Sequence, residues 1–501
     1  MQQNNTILSA DTLKMDPVPD AGAVDALWKD AVSTLGRKIV VLDDDPTGIQ
    51  TVHGVSVYTN WQLESVLAGF REERPLFFIL TNSRAMSREE TARIHAEIAR
   101  NIAQAAALTG KDYLLVSRGD STLRGHYPLE TATLRDTIEA CSSRRFDGEI
   151  IMPFFREGGR FTLNDIHYVR EGDDLIPAAQ TEFAGDKTFG FSQSHLGRWC
   201  QEKTQGAYQA EDMCYISLDS LRALDVEGIA ARLTQVSGFQ KVIVNAIDDC
   251  DAKVFVAACA KALHAGREFL FRSAASLVKA LGGIADRPLL QTAELVAPDD
   301  PYGGLVVIGS HVNKTSQQLA YLQEHLPALH YIVFDQHRVL EKGGLAAETA
   351  TVARLVDKCI QSGETAVVYT RRERIDLSTT DGEAQLDLAV QISDAVTDVV
   401  AQLTCKPAFI LAKGGITSSE IGTKALRVKR ALVLGQIQPG IPVWLTDEDS
   451  RFPHMPYVIF PGKKREKGIK PPFLPLFVRN VKNWRSFLVN DTLCKLHFAV
   501  V

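Results

Sequence analysis

Closely spaced metal ligands and paired thiols are missing from this sequence. Its eight cysteines are scattered without a CxxC pair, and its twelve histidines include no HExxH motif. Zinc sites and disulfide frameworks need such spacings, so neither is expected. The scattered cysteines are typical of reduced thiols in a cytoplasmic enzyme, and we expect a cytoplasmic location.

Long apolar segments and strong net charge are missing as well. No segment approaches the roughly 18 consecutive apolar residues of a membrane span, and the first residues lack the basic region and apolar run of a signal peptide. A formal charge of −6 over 501 residues creates no field that would gather nucleic acid. We therefore expect neither a membrane nor a nucleic acid as partner.

A chain of 501 residues is longer than a single hydrophobic core usually supports, so two domains are expected. Strand-like apolar runs alternate with helical stretches in both halves, which predicts the α/β class with largely parallel sheets. We predict an N-terminal extension over residues 1–36, an α/β domain over 37–290, a second over 300–462 and a divergent tail over 463–501.

The stretch from Arg37 to Gly48, RKIVVLDDDPTG, predicts a buried strand that ends in three carboxylates, Asp43, Asp44 and Asp45. Ligands of open α/β sheets bind beyond the carboxyl ends of the strands. Three adjacent acids repel one another unless a metal, a substrate proton or a basic partner balances them. A solvated acidic turn would explain one aspartate but explains three poorly, so we favour a functional site.

Three further strands of the first half end in polar loops that contain arginine. The ends of parallel strands lie along one edge, so the acids would face the arginines. Such a pocket suits a small polyhydroxylated acid, because arginines grip a carboxylate and an aspartate can accept a hydroxyl proton. Salt bridges among the loops would explain one such pair but not four coincident loops. The candidate substrate-binding residues are Asn82, Ser83, Arg84, Arg118, Ser121, Thr122, Arg124 and Arg160.

Two glycine-containing turns follow strand-like runs of the second half, GSHVNKT at 309–315 and KGGITSS at 413–419. Glycine lets backbone N–H groups approach an anion, and a helix N-terminus favours phosphate. GSHVNKT lacks the second glycine of the Walker motif GxxxxGK[ST], and no GxGxxG dinucleotide motif is present, which disfavours a dehydrogenase. The two turns are candidate phosphate cradles at adjacent strand ends.

In their order along the chain, DDDPTG, TNSR, RGDSTLRG, KGGIT and a final Pro-Gly resemble the four-carbon acid sugar kinase family. This family includes threonate, erythronate and 3-oxo-tetronate kinases. The resemblance covers roughly Lys38 to Gly462, and Asp120 to Gly125 is its most specific piece. It implies an N-terminal domain that binds the sugar acid, a C-terminal domain that binds ATP, and an active-site cleft between them. The implied reaction transfers the ATP γ-phosphoryl group to a terminal hydroxyl, with Mg²⁺ bridging the phosphates through few protein ligands.

The resemblance also implies roles for individual residues. Asp45 or Asp44 would orient or deprotonate the hydroxyl, with Asp120 as the next candidate, and Arg124 and Arg84 would hold the carboxylate. Together with Thr315 of the first cradle, the implied ATP-binding residues are Ser310, Gly414, Gly415, Ile416, Thr417 and Gly462. No metal-binding residue of the protein is predicted.

Three departures from the family pattern bear on substrate and nucleotide. LDDDPTG carries an additional aspartate and a proline, Asn245 stands where many members have aspartate, and the tail from Lys463 lacks the small glycine-containing loop of the family. We hypothesise that this tail weakens or abolishes nucleotide binding.

The alternative to a kinase is a non-catalytic acid-sugar-binding protein of the same fold, or another sugar-acid-modifying enzyme. The oligomeric state stays open, a homodimer included.

Overall fold

The computed structural model describes residues 6–14, 18–309, 313–373, 375 and 382–460. They form two compact units, one containing the residues up to Pro288 together with Lys429–Gly435, and the other the remainder from Leu289. Both units are α/β with largely parallel sheets, which confirms the predicted fold class. No helix within these ranges is long and apolar enough to cross a bilayer.

Strands and helices alternate through most of the described chain. The strands are β1 Leu8–Ser9, β2 Lys38–Asp43, β3 Ser56–Tyr58, β4 Leu76–Leu80, β5 Tyr113–Arg118, β6 Gly148–Met152, β7 Arg160–Leu163, β8 Ile166–Glu171, β9 Asp174–Pro177, β10 Cys214–Ile216, β11 Gln240–Val244, β12 Phe269–Ser273, β13 Leu305–Ile308, β14 His330–Phe334, β15 Ala366–Thr370, β16 Ile410–Lys413, β17 Arg430–Gln438, β18 Ile441–Thr446 and β19 Pro456–Phe460. The helices are α1 Ala21–Thr34, α2 Leu63–Arg71, α3 Arg88–Thr109, α4 Leu129–Cys141, α5 Leu196–Lys203, α6 Leu218–Arg222, α7 Val226–Thr234, α8 Asp249–His264, α9 Ala275–Leu281, α10 Thr292–Leu295, α11 Asn313–His325, α12 Gly344–Gln361, α13 Gly382–Ala401 and α14 Gly415–Glu420.

The main sheet of the first unit has the strand order β10-β11-β6-β12-β5-β2-β4-β3, and all these neighbours are parallel. Strand β2 is buried over its whole length, as its unbroken run of β-branched and apolar residues predicts for a strand covered on both faces. Its register places Asp43 opposite Leu80 of β4 and Arg118 of β5. The carboxyl ends of these three strands therefore coincide, and the loops that follow them meet.

Helices cover this sheet, and side chains cap the start of two of them. The Ser87 side chain caps α3 by accepting a hydrogen bond from the Glu90 N–H, and Asp20 caps α1 through the Ala23 N–H. Although α1 lies in the predicted N-terminal extension, it packs on α8, and the Trp28 indole N–H donates to the Ala280 carbonyl oxygen at 2.7 Å. The helix is therefore part of the first unit.

A small sheet of order β1-β9-β8-β7, whose neighbours are antiparallel, was not predicted. Its strands are short and joined by tight turns in which Asn164, Asp165 and Gly172 have positive φ angles. Strands of two to six residues carry too little periodicity to be recognised in a sequence. The hairpin β7–β8 nevertheless positions Arg160 and His167 next to residues of the acid–arginine cluster described below.

The second unit has the strand order β18-β19-β16-β13-β15-β14, in which only β18 and β19 pair antiparallel among the pairs that the structure describes. Strands β13 and β16 are neighbours, and Ile308 lies opposite Lys413. The turns that follow these strands are the two predicted phosphate cradles. They therefore begin at adjacent strand ends.

Candidate active site

The last residue of β2, Asp43, and the first residue of the following loop, Asp44, place two carboxylates against Arg118, the last residue of β5. Nη1 of Arg118 donates to Oδ1 of Asp43 at 3.2 Å and lies 3.8 Å from Oδ1 of Asp44. Both aspartates and Arg118 are buried, so the charges are balanced within the protein rather than by water. The predicted meeting of the acidic loop with arginines is therefore present in the first unit.

Arg84, which follows β4, contacts three of the acids with its two terminal nitrogens. Nη2 forms an ion pair with Asp45 and lies 3.8 Å from Oδ1 of Asp44, and Nη1 lies 3.5 Å from Oδ1 of Asp120. The Thr47 backbone N–H also donates to Asp45, at 2.9 Å. One planar guanidinium thus joins the first loop to the loop after β5.

The DSTLRG loop closes on itself around Asp120. The Thr122 hydroxyl donates to Oδ2 of Asp120, and Nε of Arg124 donates to the same oxygen at 2.6 Å. The Ser121 carbonyl oxygen lies 2.8 Å from Nε2 of His167 on β8, so the hairpin β7–β8 contacts the backbone of this loop. The carboxylate of Asp120 is therefore held by hydrogen bonds from its own loop.

The four carboxyl groups differ in protonation. Burial raises the pKa of Asp44 to about 6 and that of Asp43 to about 7. At Asp45 and Asp120 burial acts in the same direction, but Arg84 and further hydrogen-bonding partners outweigh it and hold both pKa values below the usual range. Asp44 and Asp43 are therefore the carboxyl groups that can exchange a proton near neutral pH.

Asp44 is distinguished from Asp43 by its contacts. Within the described ranges, neither carboxylate oxygen of Asp44 has a hydrogen-bond partner, although the residue is only 4% exposed. Oδ1 of Asp43, in contrast, accepts from Arg118. A buried carboxylate with two open acceptor oxygens is costly unless a ligand completes it.

Arg124 and Arg160 converge on one aromatic ring. Their Cζ atoms lie 5.0 Å and 5.6 Å from the centre of the Phe183 ring, and Nη1 of Arg124 lies 3.7 Å from Oδ2 of Asp186. The segment 182–186 therefore borders the cluster. Two partly exposed guanidinium groups over one ring form a surface that suits a carboxylate.

Arg272 and Glu130 are two members of the cluster that the site prediction missed. Nη2 of Arg272 donates to the Arg124 carbonyl oxygen at 3.3 Å, and Glu130 accepts from the Ser83 hydroxyl at 2.6 Å. Arg272 is the last residue but one of the apolar strand FLFRS, and Arg118 is the last residue of YLLVSR, so this similarity could have revealed Arg272. Glu130 lies near the start of α4 in a sequence that looks like an ordinary solvent-facing helix turn, so it gave no signal.

Two positions that the sequence analysis names in this unit have identifiable local roles. Asn82 has a left-handed backbone conformation, with φ of 54°, at the turn that directs Ser83 inward and Arg84 toward the acids. Asn245 donates through Nδ2 to Oδ1 of Asp165 at 2.7 Å and accepts from the Asp165 N–H at 2.8 Å. Because an aspartate at 245 would repel Asp165, this departure from the family pattern matches its local partner.

The two cradles of the second unit also meet. A Cβ atom on Gly309 would lie 2.6 Å from the Thr417 hydroxyl, so glycine is needed for the close approach. Gly414 has φ of 115°, which ordinary side chains rarely adopt, and Gly415 begins α14. Ile416 is exposed, whereas Thr315 is fully buried in α11 with no hydrogen-bond partner for its hydroxyl among the described residues.

Ser310, Gly462 and the tail from Lys463 lie outside the described residues. Among the residues that are described, no group of three or more His, Cys, Asp and Glu side chains could hold a metal ion. Asp43, Asp45 and Asp120 of the first unit are ion-paired to arginines.

Two family models match the chain. Residues 39–281 match a model described as a sugar-binding N-terminal domain, and residues 305–464 match one described as a nucleotide-binding C-terminal domain. No curated protein matches the chain.

Two solved structures share its fold. A Salmonella typhimurium LT2 protein, provisionally described as a tRNA synthase, is 17% identical over 89% of this chain and 99% of its own, with a TM-score of 0.61. A Haemophilus influenzae protein of the family DUF1537 is 17% identical over 84% of this chain and 96% of its own, with a TM-score of 0.55. At this identity the likeness extends to the fold alone.

Proposed function

Because the chain belongs to the four-carbon acid sugar kinase family, we propose that it phosphorylates the terminal hydroxyl of a four-carbon acid sugar with ATP. The substrate would be of the threonate, erythronate or 3-oxo-tetronate type. The match to a sugar-binding domain supports an acid sugar as one substrate, and the match to a nucleotide-binding domain supports ATP as the other. The proposal depends most on Asp44, the buried carboxylate with two open oxygens.

Asp44 is the residue we assign as the base. With its pKa raised to about 6 by burial, it is ionised at neutral pH and still basic enough to take a proton from a hydroxyl. Asp45 and Asp120 are less suited, because Arg84 and their hydrogen-bond partners hold both as stable anions. They would instead fix Arg84 and, through it, the geometry around Asp44.

The carboxylate of the substrate would lie against Arg124 and Arg160. Their guanidinium groups border the Phe183 ring at the edge of the cluster. Arg124 pairs with Asp120 through Nε and lies near Asp186, whereas both terminal nitrogens of Arg84 contact acids. This assignment keeps Arg124 in its predicted role and gives Arg84 a different one, that of holding the acids. Arg118 would likewise neutralise Asp43 and Asp44 rather than bind substrate.

In the proposed step, the terminal hydroxyl oxygen attacks the γ-phosphorus of ATP, and the bond from that phosphorus to the β,γ-bridging oxygen breaks to release ADP. The hydroxyl proton passes to Asp44. Such catalysis depends mainly on positioning and charge neutralisation. The backbone of Gly414 and Gly415 and the side chain of Thr417 are the described groups that we assign to the ATP phosphates, and Mg²⁺ would enter bound to the nucleotide.

The test is ADP release with Mg-ATP across a panel of threonate, erythronate and 3-oxo-tetronate isomers. We expect turnover on one acid and a loss of about 10²- to 10⁴-fold in Asp44→Asn. ATP and acid affinities, measured separately by calorimetry, interpret a negative result. Acid binding with no ATP binding would support the tail hypothesis, and binding of both without turnover would favour the non-catalytic alternative.

A further inference from the structure

Glu130 is a buried carboxylate that the proposed chemistry does not yet use. It lies at the start of α4, is 2% exposed, and its Oε2 atom has no hydrogen-bond partner within the described residues. Its other oxygen, Oε1, accepts from the Ser83 hydroxyl at 2.6 Å. An ionised carboxylate with so little hydrogen bonding is costly to bury, so its retention calls for a role or a charged partner.

Ser83 connects Glu130 to the loop that carries Arg84. The Ser83 backbone N–H donates to the Thr81 hydroxyl at 3.3 Å, and this hydroxyl donates to the Asp43 carbonyl oxygen at 2.9 Å. Through Ser83 and Thr81, Glu130 is therefore linked by hydrogen bonds to the Asp43 carbonyl oxygen, immediately before Asp44. A change at Glu130 would affect both the Asn82–Arg84 loop and the acidic loop that contains Asp44.

The charged and titratable groups around Glu130 come from several elements. His95 on α3 places Nε2 4.0 Å from Oε1 of Glu130, while its Nδ1 lies 2.7 Å from the Thr91 carbonyl oxygen. His126, in the loop before α4, and Arg272 on β12 act on the Glu130 charge as well. Burial opposes ionisation, but these groups and the Ser83 hydrogen bond outweigh it and lower the pKa of Glu130.

Asp44 experiences this charge through the protein interior. The arginines near Asp44, namely Arg84, Arg118 and Arg272, favour its ionised form, whereas burial and the charge of Glu130 favour its protonated form. Asp43 and Asp45, its neighbours on the acidic loop, and Asp120, which shares Arg84 with it, complete the acidic surroundings. Without the charge of Glu130, the arginines would favour the ionised form of Asp44 more strongly, and the pKa of Asp44 would be lower.

We propose that Glu130 is a positioning residue, which orients the Asn82–Arg84 loop through Ser83 and adds a negative charge to the group of acids around Asp44. This inference rests on the proposed role of Asp44 in phosphoryl transfer. Glu130 does not touch the substrate or the nucleotide; it acts through Ser83 and through the charge balance at Asp44. No sequence motif of the chain singles out Glu130.

The first test compares pH profiles of kcat/KM. Glu130→Gln keeps an acceptor oxygen for Ser83 but removes the charge, so the acid limb should move to lower pH by about one unit. Glu139→Gln is the matched control, because Glu139 lies on the same helix and accepts from the Phe146 N–H at 2.9 Å. An acid limb that stays in place in folded Glu130→Gln would overturn the electrostatic part of the proposal.

The second test separates positioning from charge. Ser83→Ala keeps the Glu130 charge but breaks the link, so we expect about a tenfold weaker acid-sugar affinity and an unchanged acid limb. Unchanged affinity would overturn the positioning part. This variant also keeps the proposal testable if Glu130→Gln does not fold.

A third measurement does not depend on turnover. NMR of protein labelled with ¹³C at the aspartate carboxyl carbon, with Asp44→Asn to assign the signal, should show Asp44 titrating near pH 6 in the wild type. In Glu130→Gln the same signal should titrate at lower pH. If the wild type transfers no phosphoryl group to any acid, the proposed function fails, while this comparison still decides whether Glu130 controls the protonation of Asp44.

Discussion

Arg272 lies directly against Gly119, so that a Cβ atom on Gly119 would be 1.4 Å from Nη1 of the Arg272 guanidinium. Arg272 is also buried, and its Nη2 donates to the Arg124 carbonyl oxygen. The absence of a side chain at Gly119 thus determines where one of the buried positive charges of the cluster lies. This relationship explains why glycine occupies the first position after β5.

Gly119→Ala is therefore expected to displace Arg272 while the protein still folds. Overpacking of this kind costs about 1–3 kcal/mol of stability, and the displaced charge should raise the KM for the acid sugar about tenfold or more. Gly197→Ala is the matched control, because its new methyl group would likewise press on the end of a polar side chain, the Tyr215 hydroxyl. Equal effects of both variants on KM would contradict a special role of the contact with Arg272.

Asp44→Asn is expected to increase stability at neutral pH even though it removes activity. Burial raises the pKa of Asp44 to about 6, against about 3.9 in an unfolded chain, so ionisation costs the folded state about 1.4 kcal/mol per pH unit between these values. Asparagine avoids this cost. Urea unfolding should show no difference from the wild type below about pH 4, and a gain that grows to about 2–3 kcal/mol above pH 6. A variant that is less stable at pH 8 would contradict the raised pKa.

The sequence was sufficient to predict the acidic loop and its arginines, but not the residues that support them. Asp44 and Arg118 could be paired in advance because ends of parallel strands coincide. Glu130 and Arg272 contact residues 47 and 148 positions away, Ser83 and Arg124, and such pairings depend on helix packing and strand order. Nothing in the local pattern around Glu130 indicates that this helix turn is buried.

The same physical limit applies to the strands that were missed. The hairpin β7–β8 and the strands β17 to β19 take part in antiparallel pairs, and β17 pairs with β3, which lies far earlier in the chain. The buried parallel strands, in contrast, carry unbroken apolar runs such as LFFIL and LVVI, which are visible in the sequence alone. Apolar runs therefore identified most of the parallel strands, whereas the antiparallel strands were not recognised.

Arg84→Lys is expected to damage the site although it keeps the charge. Arg84 uses both terminal nitrogens to contact Asp44, Asp45 and Asp120, and a single ammonium group cannot join them. We expect kcat to fall tenfold or more, with a loss of about 1–3 kcal/mol in unfolding free energy. Arg93→Lys on the exposed face of α3, which makes a surface pair with Glu97, should change neither quantity. Full activity of Arg84→Lys would show that charge alone suffices.

Gly414→Ala is expected to weaken nucleotide binding. Its φ of 115° lies where an L side chain is strained, so alanine should shift the turn that begins α14, at a cost of about 1–3 kcal/mol. If this turn holds the phosphates, affinity should fall more for ATP than for adenosine, as calorimetry can show. Gly343→Ala also places alanine at a positive φ in this unit, with nothing near the new methyl group, and should leave ATP affinity unchanged. Equal losses for ATP and adenosine would contradict contact with the phosphates.

The buried pair of Lys241 and Glu149 tests whether the sheet is stabilised independently of the site. Nζ of Lys241 lies 2.6 Å from Oε2 of Glu149 across the neighbouring strands β11 and β6, and both side chains are almost fully buried. Lys241→Met removes one partner and leaves the Glu149 charge uncompensated, which should cost about 3–5 kcal/mol. The double variant Lys241→Met with Glu149→Leu removes both charges, and we expect it to recover most of that loss because an apolar pair can replace a buried ion pair. Urea unfolding of the three proteins measures the coupling, and a double variant as unstable as the single one would show that the pair holds the strands together by more than charge compensation. Neither residue contacts the acid–arginine cluster, so the folded double variant should retain wild-type kcat.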